Sequence, residues 1–455
     1  MSSRSGLHIK AILSIGIACC AIGFSPIAVG QDAVDRLKGP YLKKLRQDTL
    51  RLAEKRREPT RKSSLKEIRA NLHVHSELSH DSRGKIEDIV AAAKRAGTDA
   101  LLFTEHPSAE KDFYLDGNSG FRDGVLLIPG AEMKGMLVYP TMSLRGFEQA
   151  EPSELAPLVR ERGGQVFLSH LEERMDWEIP ALTGTEIYNT HADFKKQKKL
   201  VESLKNPLWL IKAAELIREY PQEVFTIMQT YPDDYLKRFD ELCHRFPHTG
   251  VAANDAHQNI GVRIVLRDKD SISIVDALGE ELANLNRLLV APILKIPSDA
   301  QPGDTLFQLQ LDPYENSLRH AGTHLLVREL SHDGVWEALD AGRTFVAFDG
   351  IADARGFEVG ILTPNSKEPT ASKPTYHEIG SHVPFEKGLR ITGQSPLVAH
   401  WKLMREGECV VEADGDQIAY EIDQPGIYRV ELWLDVADES RIWILSSPFY
   451  VTAAE

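Results

Sequence analysis

Apolar runs of four or so residues alternate with amphipathic stretches from about Glu67 to the 290s. Ile86, Ile89, Val90 and Ala93 recur at helical spacing and Gly97 supplies the stop, so the pattern predicts a helix there. Ala100-Leu101-Leu102-Phe103 then reads as a buried strand, and Val125-Leu126-Leu127-Ile128 as another. Leu155, Leu158 and Val159 mark a second helix closed by Gly163-Gly164, and the strand Gln165-Val166-Phe167-Leu168 follows. Thr185-Glu186-Ile187-Tyr188 and Gly250-Val251-Ala252-Ala253 continue the series, with a helix carrying Leu236, Phe239, Leu242, Cys243 and Phe246 on one face between them. Strands that alternate with crossover helices imply parallel pairing, because parallel neighbours need a long connection.

The flanks read differently. Gln31 to about Lys66 is rich in Arg, Lys, Glu and Leu and predicts a charged helical leader. Between Asp268 and Asp349 the periodicity is unclear, and His320, His324 and His332 follow no strand-end pattern, which assigns them to packing or the surface. The last hundred residues hold short β-rich runs, among them Leu397 to Leu403, Tyr428 to Leu434 and Arg441 to Leu445, separated by turns such as Pro425-Gly426. They predict an immunoglobulin-like β-sandwich. The expected domains are thus a signal peptide at 1–30, the leader at 31–66, a barrel at 67–300, a completing or bridging segment at 301–354 and the sandwich at 355–455.

Arg4 and Lys10 precede an apolar run from Ala11 to Ala28, and Ala28-Val29-Gly30 places small residues at a cleavage position. This is the pattern of a secretory signal, so an exported protein, periplasmic or extracellular, is expected, with no stable membrane span after cleavage. Cleavage would leave two of the four cysteines, Cys243 and Cys409, each expected to be a small buried apolar side chain rather than part of a disulfide framework. The formal charge of −14 argues against a polyanionic partner over a wide surface, so no nucleic acid is expected.

Candidate chemistry lies where the strands end. Asn71-Leu72-His73-Val74-His75-Ser76 carries two histidines one residue apart, which an extended strand would point to the same side. Neutral imidazole is a preferred ligand of zinc, manganese and iron. Further down the chain, apolar strands run into Thr104-Glu105-His106, Pro129-Gly130-Ala131-Glu132, Ser169-His170, Asn189-Thr190-His191 and Asn254-Asp255-Ala256-His257. In a parallel barrel such positions converge on one mouth.

This series resembles the PHP (polymerase and histidinol phosphatase) superfamily of metal-dependent phosphoesterases, over a segment from about Ala70 to Gly261. The resemblance implies a distorted (β/α)7 TIM-like barrel that holds two or three Zn, Mn or Fe ions at its mouth. Carried across motif by motif, it implies His73, His75, His106, Glu132, His170, Asp255 and His257 as metal ligands, with His191 fitting a further position less closely. The chain departs from the family in having Glu105 where Asp is usual. It also offers both His80 and Asp81 after the His-x-His-Ser motif, of which Asp81 is favoured and the choice stays open. His191 or Asp255 would give a proton to the leaving group. Lys134, Arg83 and Arg263 are nearby cations that either hold a phosphate or serve as ordinary surface residues. The expected function is hydrolysis of a small-molecule phosphate mono- or diester. Hydrolysis of an amide, carbamate or carboxylic ester is the alternative, and a non-catalytic metal-stabilised binding protein the third reading.

Overall fold

Strand β1 (Lys66–Val74) is the hub of the main sheet. On one edge it runs parallel to β2 (Ala100–Phe103); on the other its first half pairs antiparallel with β13 (Gly322–Val327), and Leu72 and Val74 pair in parallel with β8 (Thr249–Ala256). With neighbours on both edges and both faces covered, β1 is buried at every position from Ile68 to Val74. The computed structural model describes residues 32–204, 206–290, 294, 296–364 and 375–453. The expected signal segment, with Cys19 and Cys20, lies outside the described residues.

Parallel pairing continues from β2 to β3 (Val125–Ile128), and from β6 (Gln165–Leu168) through β7 (Gly184–Asn189) to β8. Between β3 and β6 the expected strand-then-helix repeat breaks. An antiparallel hairpin of β4 (Ala131–Met133) and β5 (Met136–Tyr139) takes that place, with β5 antiparallel to β6 and a lone parallel bridge from Glu105 to Ala131. The hairpin turn is Lys134-Gly135, both at positive φ. The result is a mixed α/β sheet.

Alternation along the strands sorts the core. Leu101 and Phe103 of β2 face outward against Ile89 and Val90 of the helix Ile86–Ala96, which ends at Gly97 with φ 79° as its spacing predicts. Leu72, Leu102, Ile128, Leu137, Phe167 and Val251 form the opposite layer, closed by Trp336 from the helix His332–Asp340. The predicted helices near 155 and 239 span Pro152–Glu161 and Asp233–Cys243. The leader contains the helix Gly39–Lys55, which buries Leu42 and Leu45 against residues of the C-terminal strands.

A separate antiparallel sheet in the order β11 (Glu281–Asn286), β10 (Ser271–Asp276), β9 (Gly261–Leu266), β12 (Thr305–Gln310) begins inside the segment expected as barrel and runs on into the stretch with unclear periodicity. After β13, strand β14 (Thr344–Ala347) leads into the C-terminal β-rich region of β15 (Arg390–Arg405), β16 (Glu408–Glu421), β17 (Gly426–Val436) and β18 (Glu439–Ser446). β14 pairs directly with β18, Phe345 opposite Ser446, so the hydrogen-bonded sheet runs on without a break from β1 into this region. Cys243 is buried, but Cys409 is exposed, contrary to expectation, because it lies on the open face of β16. No helix among the described residues is long and apolar enough to cross a membrane.

Candidate metal centre

His73 and His75 meet, with ring centroids 5.2 Å apart, but not by simple strand alternation. His73 sits at φ 64° and the pairing of β1 shifts register between Leu72 and Val74, so a bulge re-aims the first imidazole. His170 (φ 46°) and Asp255 (φ 49°) are likewise left-handed. Such a conformation is costly for a residue with a Cβ, by about 1–3 kcal/mol, and persists where the surroundings impose it. Three site residues share it.

The site's donors form two groups, and in each the ligand atoms lie within 4.8 Å of one another: His75, Asp81, His106 and His257 in the first, His73, Glu132, His170 and Asp255 in the second. Glu132 reaches both. Its Oε2 is 3.2 Å from His73 Nε2, 3.7 Å from His75 Nε2 and 3.8 Å from His106 Nε2, while Oε1 is 3.1 Å from His170 Nε2. Asp255 does the same, with Oδ1 3.2 Å from His73 Nε2 and 3.3 Å from His257 Nδ1, and Oδ2 3.5 Å from His170 Nε2. Asp81 Oδ2 lies 3.2 Å from both His106 Nε2 and His257 Nε2. His191, in the first turn of the helix Thr190–Lys196, has its Nδ1 3.5 Å from Asp255 Oδ2 but stands outside both groups. His80 is exposed and also outside them, its ring 5.0 Å from that of His106.

Gly130 lets the hairpin approach β2: a Cβ there would stand 2.7 Å from the Phe103 carbonyl oxygen. That close approach carries Glu132 to the rim.

Glu186, Tyr314 and Glu172, which support the site, were not singled out from the sequence, whereas Glu105 was noted there. Glu186 Oε1 lies 2.7 Å from His73 Nδ1, and its Oε2 accepts hydrogen bonds from the His170 backbone N–H (2.8 Å) and Asn189 Nδ2 (3.0 Å). A carboxylate in the middle of an otherwise buried strand was the available signal. Glu105 stands outside both donor groups and accepts from the Ser76 N–H, the Ser76 hydroxyl and the Ser79 hydroxyl, pinning the turn after His75. Tyr314 donates to the His75 carbonyl at 2.7 Å. Glu172 lies 3.3 Å from His170 Nδ1 and accepts from the Tyr235 hydroxyl.

The electrostatics are those of carboxylates and imidazoles competing for positive charge. Burial opposes ionisation of Glu132 and Asp255, yet the surrounding histidines hold both well below the usual carboxylate range. Asp81 is held low against its partial burial by His106 and His257. Burial alone would lower His73, but Asp255 and Glu132 raise it well above its ordinary value. His75 goes the other way, because burial is reinforced by the neighbouring His257 and His73. For His170 and His257 burial is again outweighed: Glu132 and Glu172 lift the first to about 10, and Asp81 and Asp255 lift the second to about 8.

These residues fit divalent cations. His75 Nε2, Asp81 Oδ1, Asp255 Oδ1 and His257 Nε2 are buried without a hydrogen-bond partner, and all belong to the two groups. Buried polar atoms normally find partners, so four orphans in one place suit a shared ion. Imidazole and carboxylate together are the donor set of Zn, Mn and Fe. Of the three nearby cations, Lys134 is exposed on the hairpin turn, whereas Arg83 and Arg263 line one cavity.

Two four-donor groups at the strand ends of a mixed α/β sheet form a candidate metal centre. Residues 71–245 of the chain match the family model described as PHP domain. The match takes in His73 to His191 and ends before Asp255 and His257, which β8 brings to the same site. No curated protein matches the chain. Among solved structures the chain is similar to a two-domain protein containing a predicted PHP-like metal-dependent phosphoesterase from Bacteroides vulgatus ATCC 8482. Identity is 13%, the TM-score is 0.36, and the similarity covers 86% of this chain and 98% of the other.

Proposed function

We propose that this protein is an exported metal-dependent hydrolase acting on small phosphate mono- or diesters. The observation that carries the reading is the pair of carboxylates, Glu132 and Asp255, each within 3.8 Å of imidazoles in both donor groups. A binding protein stabilised by one ion has no use for two groups joined in this way. The two groups support two divalent ions, Zn, Mn or Fe, with His75, Asp81, His106 and His257 holding one and His73, Glu132, His170 and Asp255 the other. Divalent cations held there would supply Lewis acidity and make water a nucleophile near neutral pH.

The chain's own residues supply positioning and proton transfer. Glu186 engages His73 Nδ1 and thereby turns Nε2 toward the carboxylates. Glu105 fixes the turn that leads to Asp81. His191 is about one-third exposed beside Asp255 and burial keeps its imidazole below its ordinary pKa, so it is placed to exchange a proton with a leaving group. Pairing of β8 with β1 supports a distorted (β/α)7 barrel as the finer architecture, and the antiparallel strands after residue 390 support an immunoglobulin-like accessory region. Export is supported by the apolar run and small-residue cleavage pattern before residue 31.

The test is metal analysis of purified protein with a panel of chromogenic phosphomonoesters, phosphodiesters, and carboxylic and carbamate esters, run beside His73→Ala. Metal-dependent turnover of phosphoesters, lost in the variant, is the expected result. Turnover of carboxylic or carbamate esters alone would transfer the reading to that chemistry, and equal activity in both proteins would end it.

A further inference from the structure

Beside the first donor group lies a cavity of about 280 Å³ with a charge opposite to that of the chain as a whole. Arg83, Arg263, Gln258, Gln308 and Gln310 supply its polar lining, and among the described residues no carboxylate lines it. Its walls come from two directions. Arg83 follows Asp81 by two residues and is held by bonds from Nη1 to the carbonyl oxygens of His80 and Ser82, each 2.9 Å. Gln258 directly follows His257 and, at φ 55°, turns the chain out of β8. Asn259 Nδ2 ties the two walls together by donating to the Asp81 carbonyl at 3.0 Å. The opposite wall is the separate sheet, where Arg263 of β9 stands in register with Gln308 of β12 and, two residues along, Gly261 with Gln310. Gln310 is partly committed, donating to the Ile260 carbonyl and to Asp312.

Two guanidinium groups that share a cavity repel one another unless an anion sits between them. Arg263 makes no side-chain ion pair or hydrogen bond among the described residues, and Arg83 bonds only to backbone carbonyls. Guanidinium forks match carboxylate and phosphate oxygens, and glutamine amides add neutral donors. On a chain of net charge −14, a cavity of this kind next to a metal centre selects a small anion. The wall that carries Arg263 lies beyond residues 71–245, on the separate sheet.

We propose that this cavity is a subsite for a second anionic group, carboxylate or phosphate, on the ester whose reacting group meets the metal centre. The substrate class is then a small polyanionic ester. The identification of a substrate rests on the hydrolase reading above, while the binding of an anion does not.

Two arms separate them. In the first, inorganic phosphate is titrated calorimetrically into the chelator-treated full chain at low salt. Binding is expected to weaken at least tenfold in Arg263→Gln and to be partly kept in Arg263→Lys, with melting temperatures monitoring the fold. In the second, the metal-loaded enzyme hydrolyses an ester bearing a remote carboxylate, a remote phosphate, or the amide of that carboxylate. The ester class is whichever the wild type turns over. The ratio of kcat/KM for the better anionic ester to that for the amide is expected to fall at least tenfold in Arg263→Gln, and the two anionic esters identify the group. Equal phosphate affinity in wild type and Arg263→Gln overturns the proposal. So does an unchanged ratio, which would leave a cavity unconnected with substrate. A chain that hydrolyses no ester yet binds phosphate through Arg263 overturns the hydrolase reading and the substrate role, and upholds the anion site.

Discussion

Glu186 Oε1 lies 2.7 Å from His73 Nδ1, with neither side chain exposed to solvent. One carboxylate therefore sets the direction of the first imidazole, and through its second oxygen it also holds the His170 backbone at 2.8 Å. Glu186→Gln keeps the size and removes the charge. It is expected to cost about 10–100-fold in metal affinity or turnover, as loss of a partner behind a ligand does elsewhere. Competition titration against a chromogenic chelator, with circular dichroism to confirm the fold, measures it. An affinity within a factor of two of wild type would remove Glu186 from the metal centre.

Protons and cations compete for the same imidazole lone pairs. Asp81 and Asp255 raise His257 to about 8 despite its burial. Below that value the imidazole is largely protonated and cannot ligate, so apparent metal affinity is expected to rise with pH between about 6 and 9. Chelator competition at stepped pH values reads this directly. A flat profile would mean that His257 carries no ion.

A second buried ionic network lies away from the donors. His324 Nδ1 is 2.7 Å from Glu67 Oε1 and its Nε2 is 3.0 Å from Asp349 Oδ2, while Arg69 Nε is 3.1 Å from the same Asp349 oxygen. Burial opposes the charge on His324, but Asp349 and Glu67 outweigh it and raise the imidazole to about 9. A raised histidine contributes stability that is fully present below its unfolded value near 6.5 and is lost as pH rises through about 9. Asp349 is lowered to about 2 against its burial by Arg69 and His324, so its share is present above about 4 and lost as pH falls through 2. His324→Leu is expected to cost about 3 kcal/mol near neutrality, because it leaves buried carboxylates short of a partner. Urea midpoints should show this difference shrinking from pH 6 to pH 10, and a constant difference would contradict the assignment.

The C-terminal strands are structural partners of the rest. Trp443 is fully buried and its indole N–H donates to the Ala352 carbonyl at 2.7 Å. Trp443→Ala should cost about 3–5 kcal/mol in a urea titration. A chain ending at residue 354 would bare the edge of β14 that pairs with β18 and the apolar face beneath it. It is expected to be insoluble, and a soluble, metal-binding truncation would show that the C-terminal region is dispensable.

Much of the site could be read from local pattern. His106, Glu132, His170, Asp255 and His257 each follow or lie in a short apolar run, and such runs report strands whose ends fall together in a parallel sheet. Where local pattern was poor, as between residues 268 and 349, an antiparallel sheet of short strands with few fully buried positions went unseen.

The sequence by itself determined that candidate donors stand at strand ends, because apolar runs are properties of neighbouring residues, and the resemblance of their motifs implied which of them would meet a cation. Only the tertiary structure decided how those donors divide into two groups, that Glu186 stands behind His73, and that Arg83 and Arg263 face one cavity from walls 180 residues apart. It also decided that His73 turns by a bulge rather than by alternation. The reason is that proximity between distant residues comes from pairing and packing of whole strands, and no local periodicity encodes it.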